Sequence, residues 1–172
     1  MARLHHAFGT DFWNLKYLHL FHRCAARQAT NELQCGLINF RYSLMSERLL
    51  VILAAINMFI AVAAGAFGAH GLKQILDAEM LTVWHTAVTY QMVHALGMFA
   101  VVLLIPKFGP VLLGWAGSAM FIGIVIFSGS LYALALSGVR ILGAITPIGG
   151  LAFLASWVLV AWAAYKGHSA AL

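Results

Sequence analysis

Between residues 49 and 165 the chain holds four long apolar stretches, 49–69, 83–105, 111–136 and 141–165, and every Asp, Glu, Lys and Arg of that region falls between them. Each is as long as the roughly 20 helical residues that cross a hydrocarbon core. Backbone inside lipid must satisfy its own hydrogen bonds, and runs of this length without period-2 alternation are helices, not barrel strands. The composition agrees, with 63% hydrophobic and 9% charged residues against a quarter charged in soluble domains. We therefore expect an all-α membrane protein, four transmembrane helices in a compact antiparallel bundle. The connectors, 71–82, 106–110 and 137–140, are short, so consecutive spans should be neighbours and no second domain fits between them.

Charge sets the expected orientation. With four spans both ends share one side, which holds Arg48, Lys107 and Lys166 against Lys73 and Arg140 on the other. Adding Arg3, Lys16, Arg23, Arg27 and Arg41 raises the bias to eight against two, which predicts both termini on the cytoplasmic side of an inner membrane. The positive charges scatter around membrane ends instead of forming one stripe, so nucleic acid is not an expected partner. The lipid bilayer is, together with a second copy of the chain or other membrane proteins.

Residues 1–44 have a different character. They mix His, Arg, Cys, Trp and Phe without a sustained period, whereas Met45-Ser46-Glu47-Arg48 leads directly into the first span. We read 1–44 as an irregular extension and Met45 as the expected natural start, with 45–172 the four-helix domain. A signal peptide is the lesser reading, since the first apolar run exceeds the usual signal core and three spans follow it. Both cysteines, Cys24 and Cys35, lie in the extension. Ten residues apart with His19 and His22 nearby, they make no recognisable zinc spacing, and no metal is expected.

Polar residues within the spans are the candidate functional groups. Ala61, Gly65 and Ala69 recur every four residues, a close-packing arrangement, and Asn57 is placed on the same face. Gly114 and Ser118 form a similar pair in the third stretch. The second stretch is the most polar, and at 100° per residue Ala87, Tyr90, Gln91 and His94 share a face while His85 points away. Asp77 is placed to cap that helix, after a short turn near 72–80 lying on the membrane surface. In the fourth stretch, Thr146 as N-cap and Pro147 as first helical residue give a span of 147–165, with 141–145 an interfacial approach. Trp162 and Tyr165 beside Lys166 suit an aromatic belt.

Asn57, Tyr90, Gln91 and His94 thus form a candidate intramembrane polar site. His94, midway along its span, is expected as a neutral imidazole bonded to Asn57 or to a serine of the third span. Haem ligation would need a second histidine at matching depth, but His70 and His85 lie near span ends, so no cofactor is expected. No catalytic set emerges, because no intramembrane carboxylate or cysteine accompanies either His94 or His70. A membrane enzyme or redox protein using His94 or His70 is therefore the least favoured of three functions, after a non-catalytic protein acting through helix–helix association and a small transporter or carrier of a neutral or hydrophobic molecule. Proton or cation coupling would call for the missing carboxylate.

Four motifs occur in order: Gly65-Ala66-Phe67-Gly68-Ala69-His70-Gly71-Leu72, Thr86-Ala87-Val88-Thr89-Tyr90-Gln91-Met92-Val93-His94-Ala95-Leu96, Phe127-Ser128-Gly129-Ser130-Leu131-Tyr132, and Leu142-Gly143-Ala144-Ile145-Thr146-Pro147-Ile148-Gly149-Gly150. Over 45–172 the chain resembles the YgdD/YwdK-like family of small four-span bacterial inner-membrane proteins. The resemblance implies the four-span fold and marks Gly65, Gly68, His70, Gly129, Ser130, Thr146, Pro147, Gly149 and Gly150 as motif positions. It implies no reaction, substrate or cofactor, and 1–44 lies outside it.

Overall fold

The computed structural model describes residues 46–169, all helix and short connectors. The readings of 1–44, its start and its cysteines lie outside the described residues. Among the described residues five α-helices make four spans: α1 (Glu47–His70), α2 (Ala78–Phe108), α3 (Pro110–Gly123) continued through a π turn (Ile124–Ser128) into α4 (Gly129–Ser137), and α5 (Thr146–Ser169). All four spans have the length and composition to cross a membrane. The 24 residues of α1 reach about 36 Å at 1.5 Å per residue, enough for a hydrocarbon core of about 30 Å.

The helices form a compact antiparallel bundle in which α2 and the third span are central. The first helix packs along α2, α2 along α3 and α4, and α3 along α5; α1 and α5 flank the centre and are not principal neighbours of each other. The main core joins Leu50 and Ala54 of α1, Ala95, Met98 and Val101 of α2, Leu113, Ala116 and Met120 of α3, and Phe153 and Ala163 of α5. Large side chains such as Phe59 on α1 and Leu103 on α2, 75% and 78% exposed, point outward, where lipid solvates them without cost.

Local sequence explains most boundaries. The Ser46 hydroxyl accepts from Leu49 N–H at the start of α1, and the Asp77 carboxylate accepts from Met80 N–H at 2.7 Å, the cap expected for α2. The turn between them is a 3₁₀ segment, Leu72–Gln74, which buries Leu72 and leaves Ile75 out. One connector differs from expectation: α2 continues through Pro106 to Phe108. Pro106 sits in the last turn, where its missing N–H forfeits an intrahelical bond and little helix follows to be disturbed, and Gly109 N–H closes the helix on Ile105 C=O at 2.9 Å. Gly109 then turns the chain with φ +89° and ψ 156°, a conformation open essentially to glycine alone.

Three packing expectations are corrected. The buried stripe of α1 is Leu50, Ala54, Asn57, Ala61 and Gly68, with Ala69 exposed. Steps of four drift 40° each around a helix, so 61–65–69 winds off the interface, while alternating steps of three and four stay on it. Gly114 meets no neighbour where a Cβ would stand, and the Ser118 hydroxyl donates to the Gly114 carbonyl of its own helix at 2.8 Å. That pair is a local back-bond rather than a helix contact. At α5, Thr146 is the first helical residue, preceded by a 3₁₀ segment (Arg140–Ala144). Its hydroxyl meets Ser130 Oγ at 2.9 Å and the Leu142 carbonyl at 3.5 Å instead of capping the helix.

Candidate functional site

The middle of α2 supplies the polar groups, and the helical twist divides them between two neighbours. Gln91 and His94 are three residues apart, an angular offset of about 60°, enough to aim one at α1 and α4 and the other at α5. Sequence placed them on one face; packing separates them into two clusters.

In the first cluster Gln91 bridges three elements. Its Nε2 donates to the Asn57 backbone carbonyl at 3.2 Å and to Asn57 Oδ1 at 3.3 Å, and its Oε1 accepts from the Tyr132 hydroxyl of α4 at 2.7 Å. Asn57 Nδ2 donates in turn to Leu53 C=O at 2.8 Å. The result is a directed chain from Tyr132 through Gln91 and Asn57 to the α1 backbone. Beside it, Trp84 packs its indole against Tyr132, ring centroids 4.6 Å apart, and donates Nε1–H to Ala64 C=O at 2.9 Å. The absent side chain of Gly68 makes this possible, because a Cβ there would stand 2.7 Å from the indole.

In the second cluster His94 lies flat on Phe153 of α5, with centroids 3.4 Å apart and planes 12° from parallel. Its Nδ1 is 2.8 Å from Tyr90 C=O, and the indole N–H of Trp157 reaches Nε2 at 3.2 Å. A carbonyl only accepts and an indole N–H only donates, so the imidazole is the neutral tautomer protonated at Nδ1. The side-chain partner of His94 is Trp157, not the expected Asn57 or a serine. Tyr90 is 43% exposed, its ring 4.5 Å from that of Phe127, and so it flanks the buried groups without joining the Gln91 chain.

The π turn connects the clusters. Ser128 donates its hydroxyl to Ala87 C=O of α2 at 2.9 Å. Phe127 brings its backbone so close to α5 that a Cβ on Gly149 would stand 2.5 Å from Phe127 N. Ser130 donates to Phe127 C=O at 3.0 Å and meets Thr146 at the start of α5.

The motif positions therefore have unequal structural roles. Gly68 and Gly149 admit a ring and a backbone, and Ser130 and Thr146 join α4 to α5. A Cβ on Gly65 would make only an ordinary contact with Val88, one on Gly150 would stand 3.9 Å from the Phe127 ring, and one on Gly129 would meet nothing within 4 Å. His70 and Pro147 are exposed, each in an end turn of its helix.

Of the four candidate site residues, Asn57 and Gln91 are bonded directly, while His94 and Tyr90 belong to the other cluster. Tyr132, Trp84 and Trp157 complete the polar contacts and were not singled out as site residues from sequence. Spacing along α2 signalled that Ala87, Gln91 and His94 turn inward but placed Tyr90 with them, which the structure leaves exposed at the rim, and only the neighbouring helices reveal the partners. Among the described residues, every buried side-chain nitrogen and oxygen has a hydrogen-bond partner, and no three His, Asp or Glu side chains are grouped to hold a metal ion.

Comparison with known proteins places this architecture. A family model described as "Protein of unknown function (DUF423)" matches residues 64–150, which contain all four motifs in full. The UPF0382 membrane protein YwdK of Bacillus subtilis is 51% identical over 120 residues, covering 69% of this chain and 98% of the relative. A UPF0382 membrane protein of Staphylococcus saprophyticus is 48% identical over 119 residues, 69% of this chain and 98% of the relative. One from Staphylococcus epidermidis is 50% identical over 119 residues, 69% and 97%. No solved structure matches the chain. With half of the aligned residues identical over nearly the full length of YwdK, and four apolar helices packed as a bundle, the chain belongs to the UPF0382 (DUF423) family of membrane proteins.

Proposed function

We propose that the protein is a non-catalytic component of the bacterial inner membrane, with both termini cytoplasmic, that acts through helix association with a second copy or another membrane protein. The observation that carries this reading is that the buried polar groups of the bundle are spent on one another. Gln91 bonds to Asn57 and Tyr132, and both ring nitrogens of His94 are engaged. Such a network holds helices in register and leaves the outward faces of α1 and α5 as the surfaces presented to partners. A carrier path for a neutral molecule would need Gln91 and His94 to exchange these bonds for substrate, and no specific observation favours it.

The test uses the absence of cysteine from residues 45–172. Single cysteines at outward positions, Phe59→Cys on α1 and Leu154→Cys on α5, are cross-linked in native membranes and the adducts identified by mass spectrometry. A discrete adduct from either face, with the chain itself or with one recurring membrane protein, supports the reading. Only uncross-linked chain from both faces at native expression would overturn it.

A further inference from the structure

The two ends of the bundle differ in charge. Arg48 in the first turn of α1, Lys107 in the last turn of α2 and Lys166 near the end of α5 share one end, where Glu47 is the single described acid. At the opposite end Lys73 and Arg140 are balanced by Asp77 and Glu79. The excess therefore lies at one membrane face.

Packing gathers two of these cations at one corner. The Phe108 ring fills the space over Gly167, so closely that a Cβ there would stand 2.5 Å from Phe108 Cδ1. Lys107 and Lys166 each adjoin one member of that contact in sequence. Both are exposed, and each ammonium lies over an aromatic ring: Lys107 Nζ is 5.3 Å from the centroid of Phe108, and Lys166 Nζ is 5.6 Å from that of Trp162. A ring face occupies one side of an ammonium and leaves donors free on the other. Among the described residues, neither lysine is paired with a carboxylate.

We propose that this corner, Lys107 and Lys166 with Phe108 and Trp162, binds the phosphate of an anionic phospholipid headgroup. Two ammonium groups at the depth where an aromatic belt meets the headgroups suit a phosphodiester carrying net negative charge, and a zwitterionic choline lipid gains less because its own cation opposes the lysines. The proposal rests on the membrane-spanning fold alone, independently of helix association.

Native mass spectrometry of the detergent-purified full chain, titrated with phosphatidylglycerol or with phosphatidylcholine of identical acyl chains, tests it. The expected result is preferential binding of phosphatidylglycerol, weakened about thirtyfold in Lys107→Gln/Lys166→Gln by the loss of two charges. Lys107→Arg/Lys166→Arg should retain the preference, as should Lys73→Gln/Arg140→Gln at the opposite end. Should the glutamine variant not fold, loss of the wild-type preference at high salt supplies the same evidence of charge recognition. Equal binding of the two lipids by wild type, an unchanged preference in the glutamine variant, or displacement of the lipid by equimolar inorganic phosphate would overturn the proposal.

Discussion

The indole N–H of Trp157 on α5 donates to Nε2 of His94 on α2 across 3.2 Å, linking a flanking helix to the most polar one. Because Nδ1 is already turned to Tyr90 C=O, this contact uses the only acceptor of the imidazole. Trp157→Phe keeps a ring and removes the donor, and we expect a loss of about 0.6–1.7 kcal/mol, the range of interhelical hydrogen bonds in membranes. His94→Ala should cost more, because it also empties the stacking position on Phe153. Thermal or denaturant unfolding in detergent measures both losses, and the protein should still insert normally. Abolished insertion with either variant would contradict a packing role.

The Gln91 chain predicts non-additivity. Tyr132→Phe strands Gln91 Oε1 and Gln91→Met strands Asn57 Oδ1, so each single variant should lose about 1–2 kcal/mol. The double variant should lose less than the sum, since the bond between the two positions is removed once. A double-mutant cycle on unfolding free energies checks this; strict additivity would show that the 2.7 Å contact contributes nothing.

Motif glycines should not behave alike. Gly149→Ala forces a Cβ against the Phe127 backbone and should cost about 1–3 kcal/mol through overpacking. Gly129→Ala meets open space within a helix and should be neutral or stabilising by up to about 1 kcal/mol. Paired melting measurements separate them, and equal losses would mean that space is not what glycine supplies at 149.

The turn after α2 gives a backbone test. Gly109→Ala should destabilise by about 1–3 kcal/mol, because an alanine is strained at φ +89° and ψ 156°. Gly114→Ala, one turn into α3, has no such conformation, its Cβ would meet nothing within 4 Å, and like Gly129→Ala it should be neutral or stabilising by up to about 1 kcal/mol, which makes it the reference.

Orientation is checked by fusion. A green fluorescent protein joined after Leu172 should fluoresce and alkaline phosphatase at the same place should be inactive, while phosphatase inserted near Asp77 should be active. The reverse pattern would place the basic ends outside the cytoplasm.

Much of the architecture is legible in the amino-acid sequence. Uncharged runs of more than 20 residues leave lipid-spanning helices as the only solution, because a backbone in hydrocarbon must bond to itself. Asp77 announced the start of α2 because a cap needs only its own next few residues. Helical spacing similarly marked Gln91 and His94 as inward on α2, although it grouped the exposed Tyr90 with them. These features depend on local chain geometry, which sequence encodes directly.

Partners were not legible, because they depend on which helix lies opposite. Ala61, Gly65 and Ala69 looked like an interface by spacing, but the seam follows Asn57, Ala61 and Gly68, where Trp84 of α2 fills the groove. Tyr132 and Trp157 became polar partners through a π turn and a helix crossing that no periodicity reports. The sequence by itself determined that four helices cross a membrane and where their polar groups sit along each axis. Only tertiary packing decided how Gln91 and His94 divide between neighbours, because an angular offset of about 60° acquires meaning when another helix stands there.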